Sequence, residues 1–477
     1  MKQTLDTLFD PGSFSIHDDG LRSRDPLGWP GYSDALHHAR ERSGGDESVL
    51  TGSGTIGGHR VETALFDFSF FGGSMGEVAG ERLATALERA AGRGVPLVIR
   101  TETGGARLQE GMKALIQMPK TVVARGALAA AHQPLITVLG NPTTGGVLAS
   151  IAALGDLTVI EADATVGFAG PRVAERLTGS PLAGRSHTAT TAFNHGLVDE
   201  LVTNEDLRSY LAGVLGVLAE DRPQQVHPPV APPTEEPGDA WDAVQAARSP
   251  ERPSADSLLM EMGDGVVMLR GDRAGREDPA VSSGITRVAG RRVLVIGLNR
   301  DHPPGPAAYR KARRCISIAS RLGIPIVMLV DTQGADPSSE SENQGIAWQI
   351  SLTFESILSA PVPTIAVVTG EGGSGGALAF AATDVVLAYS DSVFSVIAPE
   401  GAAEILWRDA GRATDAARLL HLTARHLHEF DIADDLLAGP PTPASLAEAV
   451  AYHLDRMGSV NPSELLEKRA VRWRGRS

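Results

Sequence analysis

One glycine-rich pattern occurs twice in this chain, and the repeat constrains the fold more than any other feature. Val-Pro-Leu-Val-Ile (Val95 to Ile99) precedes Thr-Gly-Gly-Ala-Arg (Thr103 to Arg107), and Ile-Pro-Ile-Val-Met (Ile324 to Met328) precedes Asp-Thr-Gln-Gly-Ala (Asp331 to Ala335). Pro96 matches Pro325, Gly105 matches Gly334 and Pro134 matches Pro363, each 229 positions on, and Pro171 matches Pro399 at 228. A period this long excludes a solenoid unit of a few dozen residues and identifies a duplicated domain. In each copy a second glycine cluster follows about 41 positions after the first, Pro-Thr-Thr-Gly-Gly (Pro142 to Gly146) and Gly-Ser-Gly-Gly-Ala (Gly373 to Ala377). Each cluster follows a short apolar run, so each copy can aim two backbone N–H groups at one oxygen anion.

The 477 residues exceed what one ordinary core organises, and two domains are expected, cut near residue 232 into 1–232 and 233–477. The segment from Glu220 to Pro253 is rich in proline, with Pro228, Pro229, Pro232, Pro233 and Pro237, and reads as a stiff, extended linker. Residues 1–50, interrupted by Pro11, Pro26 and Pro30, are expected to wrap the first domain. A hairpin is predicted around Gly57-Gly58 and again around Ala289-Gly290. Helices are predicted over Gly80 to Ala91 and Ala307 to Leu322, with further helices after Gly146 and Gly376 and a short one over Trp241 to Arg248. Strand and helix then alternate in both copies, which is the signature of parallel βαβ units with right-handed crossovers, an α/β fold.

A net charge of −15 argues against a nucleic-acid surface. The basic C-terminal run, Lys468 to Arg476, reads as a solvated tail. Cys315 is the only cysteine, which excludes an internal disulfide and a thiolate zinc cluster and points to a reduced, cytoplasmic setting. The first residues lack the apolar core of a signal peptide, and no apolar run is long enough for a membrane helix.

The glycines carry the chemistry. Backbone amides are fixed donors that do not titrate, and glycine lets the chain approach a ligand closely. Gly104, Gly105, Gly145 and Gly146 form one candidate oxyanion site, and Gly375 and Gly376 a second, each expected to gain from a following helix N-terminus. A phosphate loop is excluded, since Gly370 to Gly375 is not followed by Gly-Lys-Ser/Thr. No Ser-His-Asp set and no metal-ligand spacing is present; His132, His187 and His195 stand without a motif and read as surface or structural. Asp331 and Glu342 form a conceivable acid/base pair, although an Asp at a strand end more often caps a turn. With no obvious side-chain base, the base is expected to come from the substrate or a cofactor.

At these motifs the chain resembles bacterial acetyl-CoA carboxylase carboxyltransferases, with β and α subunits fused in that order, from about Leu8 to Asp435. The β-like half shows Phe70 to Gly76, Thr103 to Glu110, Pro142 to Gly146 and Gly167 to Arg172. The α-like half shows Gly271-Asp272-Arg273, Ala308 to Ala312, Gly370 to Leu378 and Ser395 to Gly401. The resemblance implies two tandem crotonase-like domains. It implies that the first half binds a short acyl-CoA, acetyl-CoA first, and holds its thioester enolate near Gly104, Gly105, Gly145 and Gly146, with Ala106, Arg107, Phe168, Gly170, Pro171 and Arg172 lining the substrate site. It implies that the second half takes carboxybiotin and holds the ureido oxygen near Gly375, Gly376 and Ala377, with Gly334, Ala335, Ala398, Pro399, Glu400 and Gly401 around it. The nitrogen freed by decarboxylation would then remove the α-proton of the thioester, and the product would be a malonyl-CoA for fatty acid biosynthesis. A homodimer or higher homo-oligomer is implied, and, since no Ala-Met-Lys-Met motif occurs, so are a separate biotin carboxylase and a separate biotin carboxyl carrier protein. There are no cysteines for the zinc ribbon of many β subunits, and no bound metal is expected. Asp336 stands where the family carries an aromatic residue. That departure keeps two other readings open: a biotin-independent malonyl-thioester decarboxylase and a non-catalytic carboxylase paralogue.

Overall fold

The computed structural model describes residues 1–475 apart from 18–19, 183, 185, 233–237 and 459–460. It divides into two compact units, Met1–Ala219 and Glu220–Ser477. The start of the proline-rich stretch runs with the second unit: Arg222 N–H donates to Gly290 O at 2.9 Å and Gln224 N–H to Ala289 O at 3.0 Å. Pro233 and Pro237, read as part of the linker, lie outside the described residues.

In the first unit the strands Ser15–Ile16, Val49–Ile56, His59–Phe66, Leu97–Thr103, Leu135–Thr144, Leu157–Glu161 and Glu200–Val202 lie side by side in that order. The second unit builds the same sheet from Val266–Met268, Val281–Val288, Arg291–Leu298, Ile326–Thr332, Thr364–Gly373, Val385–Tyr389 and Asp435–Leu437. In both, an antiparallel hairpin leads into parallel pairs, and a short extra strand, Val166–Gly167 or Val393–Ser395, joins the far end of the longest strand. Both predicted hairpins form, the first turning through Gly57 and Gly58 at positive φ. Residues 1–50 supply a helix, an edge strand and a second helix to the first unit, as expected.

The predicted crossover helices are Glu77–Arg93 and Pro306–Leu322. Each buries an Ala/Leu-rich face, such as Ala79, Leu83 and Leu87, against its sheet, and each stops at a left-handed glycine, Gly94 or Gly323. Every fully buried Leu or Ile on that face contributes about 1.5–3 kcal/mol. The helix expected after Gly146 is shorter than predicted. It covers only Gly145–Leu148, then Ser150 Oγ donates back to Gly146 O at 2.7 Å and the chain continues as a 3-10 turn, Ala152–Leu154. Its counterpart Ser374–Ala381 is a full helix.

The described part of the basic C-terminal run, up to residue 475, is not a solvated tail; Arg476 lies outside the described residues. Pro462–Arg474 is a helix, and Arg469 is buried with its guanidinium donating to Ile357 O, Leu358 O, Ala360 O, Val362 O and both oxygens of Asp384 at 2.7–3.1 Å. Trp473 Nε1–H donates to Thr383 O at 3.0 Å. Among the described residues no helix is long and apolar enough to cross a membrane.

Candidate active site

In each unit the two central strands end in loops that meet. In the first, Thr103 pairs with Thr143 after a register shift, which brings Gly104-Gly105 against Thr144-Gly145. Gly105 has φ +106 and Gly145 φ +67; a Cβ on Gly145 would lie 2.9 Å from Gly105 Cα, and one on Gly105 3.0 Å from Gly145 Cα. Neither position admits a side chain, so the two loops touch backbone to backbone.

The amides are used differently from the sequence expectation. Gly104 N–H donates to Gly72 O at 2.8 Å, Gly105 N–H to Thr103 Oγ1 at 2.9 Å and Gly145 N–H to Phe168 O at 2.9 Å. Three of the four expected donors are therefore spent on holding the loops. The amides of Ala106 and Gly146 have no acceptor among the described residues, and these two remain to meet a ligand. A four-residue helix after Gly145 adds little dipole, so direct N–H donation carries the site.

The second unit repeats the arrangement with one shift. Thr332 pairs with Gly372, which sets Ser374 (φ +62) in the place of Gly145 and Gly375 in the place of Gly146. The expected equivalence of Gly145-Gly146 with Gly375-Gly376 is thus off by one residue. Gly334 N–H donates to Thr332 Oγ1 at 3.3 Å and Asp336 N–H to Pro304 O at 3.0 Å, while the amides of Ala335 and Gly375 meet no acceptor among the described residues. Gly376 and Ala377, expected as donors, are buried one and two residues further into the helix. The paired threonines Thr103 and Thr332, 229 positions apart, fasten both loops; the repeat already displayed them, but sequence reasoning gave them no role. An apolar cavity of about 340 Å³ borders Gly375, lined also by Leu378, Phe394, Val396, His421 and Phe430.

Arg107, expected to line the substrate site, points away from it. Its side chain is fully buried and pairs with Glu47, with Glu110 at 3.1 Å and with Ser74 O at 2.7 Å. Burial opposes the charge, but the two carboxylates outweigh it and hold the guanidinium ionised, while the Glu47 carboxyl is kept below its usual range. Arg107 therefore shapes the loop that presents Ala106.

The other expected substrate residues lie around the loops. Phe168 is 73% exposed, and its carbonyl orients Gly145. Gly170 caps the helix Pro171–Thr178, on which Arg172 is exposed. His187 is structural here: its Nε2 lies 3.0 Å from Ala169 O and its ring covers Gly167. In the second unit Ala398 caps the helix Pro399–Trp407, and Gly401 packs on Ile397. Glu400 is tied to Arg248 at 2.6 Å, and Arg248 also binds the buried Glu371 at 2.7 Å, an anchor that the sequence did not single out.

Asp331 and Glu342 are not joined as an acid/base pair. Asp331 is buried, 3.2 Å from Arg300, and burial pushes its carboxyl up to about 6, whereas Glu342 is exposed on the helix Ser339–Asn343. Asp336 accepts from Ser338 N–H at 3.0 Å, Ser338 Oγ at 2.7 Å and Ser341 Oγ, and these bonds hold it below the usual carboxylate range. It braces the start of a short helix, which accounts for the acidic residue at this point of the loop. Among the described residues no three His, Cys, Asp or Glu side chains are placed to hold a metal ion.

Comparison with known proteins identifies the family. The family model described as acetyl co-enzyme A carboxylase carboxyltransferase-like matches residues 238–476. The acetyl-coenzyme A carboxylase carboxyl transferase subunits beta/alpha of Salinispora arenicola is 40% identical, covering 98% of this chain and 89% of its own. A probable biotin-dependent acyl-coenzyme A carboxylase beta3 subunit of Mycobacterium bovis is 34% identical, covering 99% and 97%. Among solved structures, transcarboxylase 12S with hydrolysed methylmalonyl-coenzyme A bound superposes with a TM-score of 0.77 at 24% identity, covering 95% of this chain and 89% of its own, which shows the shared fold. The two units are the tandem crotonase-like domains that the sequence led us to expect. The chain belongs to the acetyl-CoA carboxylase carboxyltransferase family, enzymes that move a carboxyl group between biotin and an acyl-CoA.

Proposed function

We propose that the first unit binds a short acyl-CoA, acetyl-CoA first, and that the Ala106 and Gly146 amides hold its thioester oxygen as negative charge develops there. The second unit would hold the ureido oxygen of carboxylated biotin with the amides of Ala335 and Gly375. The observation that carries this reading is the repeat of one free amide pair in each half, each pair left over after the neighbouring amides are satisfied within the fold.

The donors fit both groups. A carbonyl oxygen accepts two N–H bonds, and amides fixed at touching glycine loops need no reorganisation when the oxygen gains charge; one such donor is worth about 10²–10³ in rate. The apolar cavity beside Gly375 suits the non-polar faces of a fused-ring ligand. Biotin, when bound in its carboxylated form, would supply the carboxyl group and the proton acceptor. Ala106 and Gly146 stabilise the enolate oxygen, Thr103 and Gly72 keep their neighbours in register, and Phe168 and the helix Pro171–Thr178 border the thioester. A biotin carboxylase and a biotin carboxyl carrier protein act with the chain, which works as a homodimer.

The departure that favoured a biotin-independent decarboxylase was Asp336, and its carboxylate is engaged by Ser338 and Ser341. Acyl-CoA-dependent decarboxylation of carboxybiotin, measured across acetyl-, propionyl- and butyryl-CoA, tests the proposal. Turnover with acetyl-CoA is expected, and Gly146→Val should abolish it with the fold retained, since the nearest atom to a new Cβ is the mobile Met118 Sδ at 3.0 Å. Fast release of CO₂ from malonyl-CoA without biotin would overturn the reading.

A further inference from the structure

Tyr309 is the fourth residue of the helix Pro306–Leu322, where the matching helix Glu77–Arg93 carries Gly80. Its side chain is wholly buried, with its ring 5.7 Å from that of Phe380, and its hydroxyl has no hydrogen-bond partner among the described residues. A buried hydroxyl without a partner is costly and calls for a reason.

The surroundings supply one. A Cβ built on Gly376 would lie 2.8 Å from Tyr309 Oη and 2.9 Å from Ala335 N. The hydroxyl and the free amide of Ala335 therefore both lie within 3 Å of one point beside Gly376, the residue that follows Gly375. The first unit has no equivalent: above Gly80 the space is filled by Gln117, whose Oε1 and Cβ would lie 2.4 and 2.5 Å from a Cβ there. The two amide pairs share a backbone design, and beside the Ser374 and helix-length differences the second carries this hydroxyl. Burial and the Asp278 charge also hold the phenol far above its ordinary range, so it stays protonated and donates.

We infer that the Tyr309 hydroxyl is a third donor to the oxygen held by the Ala335 and Gly375 amides, and that it fits the second site to a urea-type carbonyl. A urea oxygen draws electron density from two nitrogens and is a stronger acceptor than a thioester oxygen, so a third donor favours the first ligand over the second. This rests on the second-unit reading given above.

The test uses the full chain with malonyl-CoA and free biotin, following biotin-dependent carboxyl transfer. Tyr309→Phe is expected to lower kcat/KM for biotin by roughly tenfold or more, to leave KM for malonyl-CoA unchanged, and to leave Tm unchanged or raised because an unpaired hydroxyl is removed. Gly375→Val separates the two levels of the argument. It has open space for its Cβ, so it should fold yet block the amide pair and abolish transfer. Transfer that survives Gly375→Val overturns the second-unit reading. If Gly375→Val abolishes transfer while Tyr309→Phe keeps the biotin dependence within twofold, only the third donor is overturned. A Tyr309→Phe enzyme in which Tm falls and both substrates are affected equally shows a packing role and also overturns it.

Discussion

Arg107 and Glu47 form an ion pair in which neither side chain is exposed to solvent, and it joins the N-terminal segment to the loop that presents Ala106. Glu110, Ser23, Ser48, Ser74 and Tyr32 are further partners of the guanidinium. Removing one member of such a pair leaves a buried charge uncompensated, which costs about 3–5 kcal/mol. Arg107→Met should therefore lower stability to denaturant by that amount and reduce turnover only through the unfolded fraction or a displaced loop. A substrate-binding role would instead raise KM for acyl-CoA in a fully folded enzyme; urea unfolding and KM measured together decide between them.

Arg469 makes the corresponding prediction for the second unit. It satisfies four carbonyls around residues 357–362 and binds Asp384 in a bidentate pair. Arg469→Ala would strip donors from those carbonyls and leave Asp384 unpaired, at a cost of about 3–5 kcal/mol. Deleting residues 462–477 should do at least as much damage. A thermal melt of either variant that matches the intact chain would return this segment to the status of a dispensable tail.

These two arginines mark where the sequence stopped being legible. The duplicated strand-loop-strand-loop order, both hairpins and both crossover helices could be read directly, because period and punctuation are local properties. Which glycine amides stay free could not, because Gly104 is claimed by Gly72 O and Gly145 by Phe168 O, from chain segments about 20–30 positions away. Arg107 read as a substrate-site residue and Arg469 as part of a solvated tail, and only Glu47, Asp384 and a ring of carbonyls, distant in sequence, reverse that. The equivalence of Gly146 with Gly375 likewise depends on sheet register, which the similar Gly-Gly dipeptides concealed.

The contact between Gly105 and Gly145 gives a prediction with a built-in control. Gly145→Ala places a Cβ 2.9 Å from Gly105 Cα at φ +67, so the two loops must part and the Ala106 and Gly146 amides separate. Turnover should fall at least about 10²-fold. Gly58→Ala carries comparable backbone strain at φ +82, about 1–2 kcal/mol, but has open space around its Cβ and lies in the hairpin turn. It should lose stability without losing turnover per folded molecule. Equal losses of turnover in the two variants would mean that strain, and not the geometry of the amides, controls the rate.

Asp331 gives a pH prediction whose sign follows from its burial. Its carboxyl is raised to about 6 in the folded chain, against about 3.9 when unfolded, because burial outweighs the nearby Arg300. Between these values the folded state binds more protons than the unfolded one, so this group makes stability fall as pH rises from about 4 to about 6 and adds no further slope above that. Ionising it costs the fold roughly 3 kcal/mol by pH 7. Asp331→Asn removes that cost. The stability difference, Asp331→Asn minus wild type, should therefore grow in favour of the variant as pH rises from 4 to 7, whatever offset the loss of the Arg300 pair introduces. Urea unfolding at pH 4, 5, 6 and 7 measures it; a difference that stays flat or shrinks would show that Arg300 keeps Asp331 ionised throughout.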